Sequence, residues 1–238
     1  MLAFHNKPEL KNEAIAEIKA HITADQLVKG QYWEDGKGCF IGCAVKTRVG
    51  INGKQHSWHE VFQERYNIDK RLAELFDALF EGVPNERAMH WPIEVYSAIQ
   101  VGTDVSKVAD EFQYWILTGE DSPLAFSFKE DAWGVWNAIK GVAALYAERL
   151  AGNEPTAAAW DAARDAAGAA AGAAAWAAAG AAAWDAAWDA AGAAAGDAAW
   201  DAAGDAARAA AGAAAYIKMA DKLLELLAAA PTQDKGGE

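Results

Sequence analysis

The chain has 238 residues, room for one large domain or two small ones; its 53% hydrophobic content is inflated by alanine but backed by eleven tryptophans. A net charge of −13 excludes a general nucleic-acid binder, which needs a basic face. Two cysteines make no disulfide framework, and Met1 to Lys11 holds no apolar run of signal-peptide length, so cytoplasmic residence is the expectation.

Asn6 reads as a helix cap with Pro8 in the first turn, and Leu10, Ala14, Ile18 and Ile22 share one side of that helix. Thr23 with Gln26 is a capping-box pattern that restarts the helix until Gly30 ends it. Gln31 to Gly38 reads as an irregular loop, leading into a short buried helix from Cys39 to Val45. Asn52-Gly53 marks a turn, so Val49 to His56 is a small hairpin or a loop. Ser57 with Glu60 is another capping box, opening a helix to Tyr66. Asp69 caps the next one, with Leu72, Leu75, Phe76, Leu79 and Phe80 inward and Gly82 at its end. Pro92 opens a helix carrying Ile93, Tyr96 and Ile99, closed by Gly102. Thr103 or Asp104 caps Val105 to Thr118, with Val108, Phe112, Trp115 and Ile116 as core candidates. Ser122-Pro123 starts a further turn. From Lys129 to Leu150 the set Trp133, Trp136, Ile139, Val142, Ala143 and Tyr146 recurs at helical spacing. Gly152 to Pro155 is the one clear linker, and Thr156 caps the alanine-rich helix beyond it.

From Trp160 to Tyr216 every fourth residue is Trp, Gly, Arg or Tyr, and each tetrad ends in two alanines. Alanine is the best helix former and no proline interrupts the run, so it reads as helix. Each interior glycine costs roughly 1 kcal/mol against alanine, so neighbours must hold it. A step of four residues turns the helix by about 400°, and the marked position drifts by about 40° per tetrad. Trp176, Trp184, Trp188 and Tyr216 then share one broad sector. One long helix with changing partners fits, as do two helices broken near Gly168–Gly172 or Gly192–Gly196. The uncharged interval from Ala166 to Trp184 approaches the length of a membrane span but is mostly Ala and Gly, so no membrane insertion is expected. Ile217 to Ala230 is amphipathic through Met219, Leu223, Leu224 and Leu227 until Pro231 stops it.

These patterns predict an all-α protein. Residues 1–152 form a multi-helix globular domain, 156–230 a long Ala/Gly/Trp-rich helix or helical hairpin, and 231–238 a disordered tail.

Gly36-Lys37-Gly38-Cys39-Phe40-Ile41-Gly42-Cys43 is the stretch with chemical potential, and several readings compete. As a metal site, Cys39, Cys43, His56 and His59 offer two thiolates and two imidazoles near zinc-finger spacing, the last pair one residue tighter than usual. As a nucleophile, Cys39 at a helix start beside Lys37 would have a lowered thiol pKa, with His59 or His56 as base. As an anion pocket, Gly36 and Gly38 expose backbone N–H groups, Lys37 adds charge, and Trp33 and Tyr32 stack beside a ring. Small, buried Gly and Cys that permit tight packing are the plain structural alternative.

The run Trp33-Glu34-x-Gly36-Lys37-Gly38-Cys39-x-x-Gly42-Cys43 resembles the signature of an uncharacterised group of bacterial and phage proteins. Phe80-Glu81-Gly82-x-Pro84-Asn85, Trp91-Pro92, the Ala-rich tetrads and Ala220-Asp221-Lys222-Leu223-Leu224 resemble the same group. Its members often carry a histidine three residues after the second cysteine, where this chain has Lys46. The resemblance implies a role in host takeover or counter-defence and no defined activity. The expected function is a non-enzymatic binding or inhibitor protein that sequesters a host protein or a small phosphorylated signal. Trp33, Lys37, Gly38 and Cys39 would hold the ligand, without a cofactor. Trp176, Trp184, Trp188, Gly192 and Gly196 would form a homo-oligomeric or partner surface. The alternatives are a Cys39–His59 enzyme and a zinc-stabilised helical module.

Overall fold

The computed structural model describes residues 1–49, 57–122, 135–163, 165, 166, 169 and 197–232. Among them the protein is all-α. A short turn at Ala3–Asn6 precedes α1 (Pro8–Thr23), α2 (Phe40–Val49), α3 (Trp58–Tyr66), α4 (Lys70–Gly82) and α5 (Asn85–Ala98); then come α6 (Val108–Thr118), α7 (Val135–Leu150) and α8 (Asp197–Ala229). Extended pairing among the described residues is confined to isolated bridges such as Leu2 with Asp104 and Thr103 with Thr232. No described helix is long and apolar enough to cross a membrane. Residues 50–56, 123–134 and 233–238 and most of the tetrad run, including His56, Trp133, Trp176, Trp184, Trp188, Gly192 and Gly196, lie outside the described residues.

Two compact units divide the chain: Met1–Phe112 with Tyr216–Glu238, and Gln113–Ala215. The linker expected at Gly152 to Pro155 therefore falls inside the second unit, and the amphipathic end of α8 belongs with the first. Hydrophobicity explains that assignment. From Tyr216 the Ala/Gly repeat gives way to larger apolar residues, and Leu223, Leu227 and Ala220 are fully buried.

The core of the first unit is aromatic. Phe4, Phe40, Phe62, Tyr66, Phe76 and Tyr96 are buried and meet mostly edge-to-face, with centroid distances from 4.8 Å between Phe62 and Tyr66 upward. Burying such a ring stabilises by roughly 2–3 kcal/mol, several times a typical difference in helix propensity, so packing holds this unit. Trp91 donates its indole N–H to the Phe76 carbonyl at 2.9 Å. Arg65 is buried, donating to the Ala44 carbonyl and to Glu13 and Glu17 at 3.0 Å each, and so joins α1, α2 and α3. Gly82 lets the Tyr216 ring lie on the end of α4: a Cβ there would come within 2.0 Å of it.

In the second unit Thr156 accepts from the Ala159 N–H at 3.2 Å and caps the helical residues 157–163. Tyr146 of α7 meets Trp160 at 5.0 Å, and Arg149 pairs with Glu154 at 3.3 Å.

Local signals held where a side chain does the capping. Ser57 and Glu60 form both bonds of a capping box at 3.2 Å, and Asp69 accepts from the Arg71 N–H at 2.9 Å. Elsewhere tertiary contacts intervened. Asn6 is no cap; it ends a left-handed turn in which Phe4, His5 and Asn6 all have positive φ, and Lys7 occupies the cap position. Thr23 ends α1, and Gln26 turns back to His21 at 2.6 Å instead of restarting a helix. Pro92 does not open a helix but lies buried within α5, which starts after Pro84. Asp104 holds the Ser106 N–H in a turn that precedes α6. Pro231 and Thr232 are not loose: the Asp104 N–H donates to the Pro231 carbonyl at 2.9 Å, and Thr232 bridges Thr103.

Candidate functional site

The site grows from the stretch Gly30–Gly42. Where an irregular loop was expected there is a two-residue hairpin: Glu34 and Lys37 exchange both backbone bonds, at 2.8 and 2.9 Å, with Asp35 and Gly36 at positive φ between them. Asp-Gly is a favoured pair for such a turn. This hairpin brings the Tyr32 backbone against the start of α2. A Cβ at Gly38 would lie 2.0 Å, and one at Gly42 1.4 Å, from the Tyr32 carbonyl oxygen. Those glycines serve close packing.

Of the two glycine N–H groups expected to hold an anion, that of Gly38 is already occupied, as are the N–H groups on either side of it. The Gly38 N–H donates to Gln26 at 2.9 Å, the Cys39 N–H to Gln31 at 2.7 Å, and the Lys37 N–H to Glu34. Lys37 pairs through its side chain with Asp25 at 2.9 Å. Trp33 takes Lys46 over its ring at 3.7 Å and the edge of His21 at 5.6 Å. Of the four residues expected to hold a ligand, Cys39 is the one that lines the pocket found beside this stretch.

That pocket, about 280 Å³, is lined by Gly30, Gln31, Tyr32, Cys39, Asp77 and Glu81. Asp77 and Glu81 stand one turn apart on α4, facing Cys39, which immediately precedes α2. Cys39 Sγ and a carboxylate oxygen from each acid lie within 4.8 Å of one another. Tyr32 forms one wall, stacked on Trp58 at 5.4 Å and edge-on to His59 at 5.7 Å. Glu81 accepts the Gly30 N–H on both oxygens at 3.0 Å, while Lys29 donates to the carbonyls of Glu81 and Val83. His59 Nε2 lies 3.4 Å from Asp77 Oδ2, both side chains being largely buried at 14% and 16% exposure. That is an ion-pair distance without hydrogen-bond alignment, and His59 Nε2 and Asp77 Oδ1 are buried with no hydrogen-bond partner.

The electrostatics run opposite to a reactive cysteine. Burial pushes the Cys39 thiol well above its usual range, and the Asp77 carboxylate adds to this, outweighing the Gly42 N–H. Burial, then Asp77, pushes the Tyr32 hydroxyl up to about 12. Cys43 is also free and buried, its thiol raised by burial to about 12, and it donates to the Gly38 carbonyl at 3.4 Å. Cys39 and His59 thus both reach Asp77; of the other two residues of the expected zinc quartet, Cys43 donates to the carbonyls of Gln26 and Gly38, and His56 lies outside the described residues.

Sequence patterns did not single out Asp77, and they placed Glu81 only within the Phe80–Asn85 motif, with no role. One local signal was present. Two like charges four apart cost a helix about 0.2–0.5 kcal/mol. Comparisons with protein-family models, curated proteins and solved structures find no match for this chain.

Proposed function

We propose that this chain is a non-enzymatic binding protein whose ligand pocket lies between the Gly30–Cys39 segment and α4. The observation that carries the reading is the pocket itself, with an aromatic wall of Tyr32 on Trp58 and a floor of Asp77, Glu81 and Cys39. Two carboxylates with this wall suit a small ligand bearing positive charge. A free phosphate group is disfavoured, because Asp77 and Glu81 would repel it and the Gly38 N–H is engaged by Gln26. The enzyme alternative is disfavoured by a buried Cys39 whose thiol is raised, since the thiolate is the nucleophile.

A partner or self-association surface on the tetrad region is supported by its sequence pattern alone. The inhibitor role in counter-defence rests on the family resemblance alone.

The test is calorimetry and thermal shift of the full chain with agmatine, spermidine and ATP. Saturable binding of the polyamines, lost in Asp77→Asn, is expected. Binding of ATP alone, or polyamine binding indifferent to Asp77→Asn, contradicts the reading. Iodoacetamide near neutral pH should leave Cys39 unlabelled in the native protein; rapid labelling there would revive the enzyme.

A further inference from the structure

We infer that the pocket is a divalent-metal site in which Cys39 Sγ and one carboxylate oxygen each from Asp77 and Glu81 are the ligands, with His59 Nε2 beside Asp77 at 3.4 Å. The inference rests on the proposal that this pocket is the ligand site, and it names the ligand class.

The three donors converge from separate parts of the chain, Cys39 just before α2 and Asp77 and Glu81 on α4, and His59 of α3 adjoins Asp77. Metal–sulfur bonds of about 2.3 Å and metal–oxygen bonds of about 2.1 Å place tetrahedral donors roughly 3.3–3.8 Å apart. A set already within 4.8 Å needs to close by only about 1 Å, a side-chain adjustment.

A second observation points the same way. His59 Nε2 and Asp77 Oδ1 are buried without hydrogen-bond partners, although buried polar atoms are normally paired. A cation between them would satisfy both. Glu81 is pre-oriented by the Gly30 N–H, the kind of outer contact that metal-binding carboxylates usually have. Neighbouring Lys29 is directed onto the backbone carbonyls of Glu81 and Val83.

The thiol decides the type of metal. Two carboxylates alone would suit magnesium or calcium, whereas a sulfur donor selects zinc and its relatives. On coordination Cys39 releases its thiol proton to solvent and the sulfur lone pair forms the new bond. Cys39 therefore works with the α4 carboxylates and His59, and Cys43 has no part in it.

The experiment is a Co²⁺ titration of the full chain, read by absorption. A saturable thiolate-to-cobalt charge-transfer band, displaced by Zn²⁺, is expected. Cys39→Ser should abolish it and Cys43→Ser should leave it unchanged. Glu81→Gln, at an exposed position that spares the fold, should weaken cobalt binding about tenfold or more. No saturable band in the unmodified protein, or a band surviving Cys39→Ser, overturns the site. If cobalt fails while agmatine or spermidine still binds through Asp77, the metal site falls and the pocket reading stands; if both fail, both readings fall.

Discussion

Gly36 and Gly42 stand six residues apart and are glycine for different reasons. Gly36 has φ +79° with open space around it, so Gly36→Ala meets only conformational strain and should cost about 1 kcal/mol. Gly42 is held by contact, since its Cβ would overlap the Tyr32 carbonyl oxygen at 1.4 Å. Gly42→Ala must push the Tyr32 backbone off α2, at about 3 kcal/mol, and should open the pocket. Chemical denaturation of both variants checks the pair. Equal losses would mean that the hairpin does not pack on α2 as described.

At the scale of elements, Arg65 joins three helices that hydrophobic patterning treats separately. Its side chain is 3% exposed, whereas Glu13 and Glu17 are 55% and 37% exposed, so the acids can be solvated without it, while the buried Ala44 carbonyl would keep the Tyr66 hydroxyl at 3.3 Å. Arg65→Met keeps the packing stem and removes the charge-assisted bonds. We expect a loss of about 2–3 kcal/mol in urea unfolding, with the slope unchanged. The helices remain, because Phe40, Phe62 and Tyr66 still pack.

At the scale of the molecule, the two ends of the first unit meet near Asp104. Met1 and Leu2 reach it on one side and Pro231 on the other. Burial alone would raise the Asp104 carboxyl, but the Ser106 bonds and the Met1 ammonium outweigh it and leave its pKa below the ordinary 3.8. A carboxyl lowered in the folded state stabilises above its unfolded pKa, and that stabilisation fades as pH falls through the folded value. Asp104→Asn should therefore lower the melting temperature at pH 6, and the difference should close below about pH 4. A difference that persists at pH 2 would assign the effect to packing.

By itself the sequence determined the helical class, the Ser57–Glu60, Asp69 and Thr156 caps, and the buried character of Cys39 to Val45. Each arises from groups within a few residues of one another, where propensity and local hydrogen bonding decide. The Asp-Gly hairpin was equally local but was obscured by the surrounding polar residues. Tertiary structure alone decided that Asp77 and Glu81 face Cys39, that Gly38 packs against Tyr32 with its N–H engaged by Gln26, that Gly42 packs there too, and that the end of α8 completes the first unit. Those facts join residues from six to well over a hundred positions apart. What connects them is burial of the aromatic core, whose free energy depends on which surfaces meet and leaves no periodic mark on the chain.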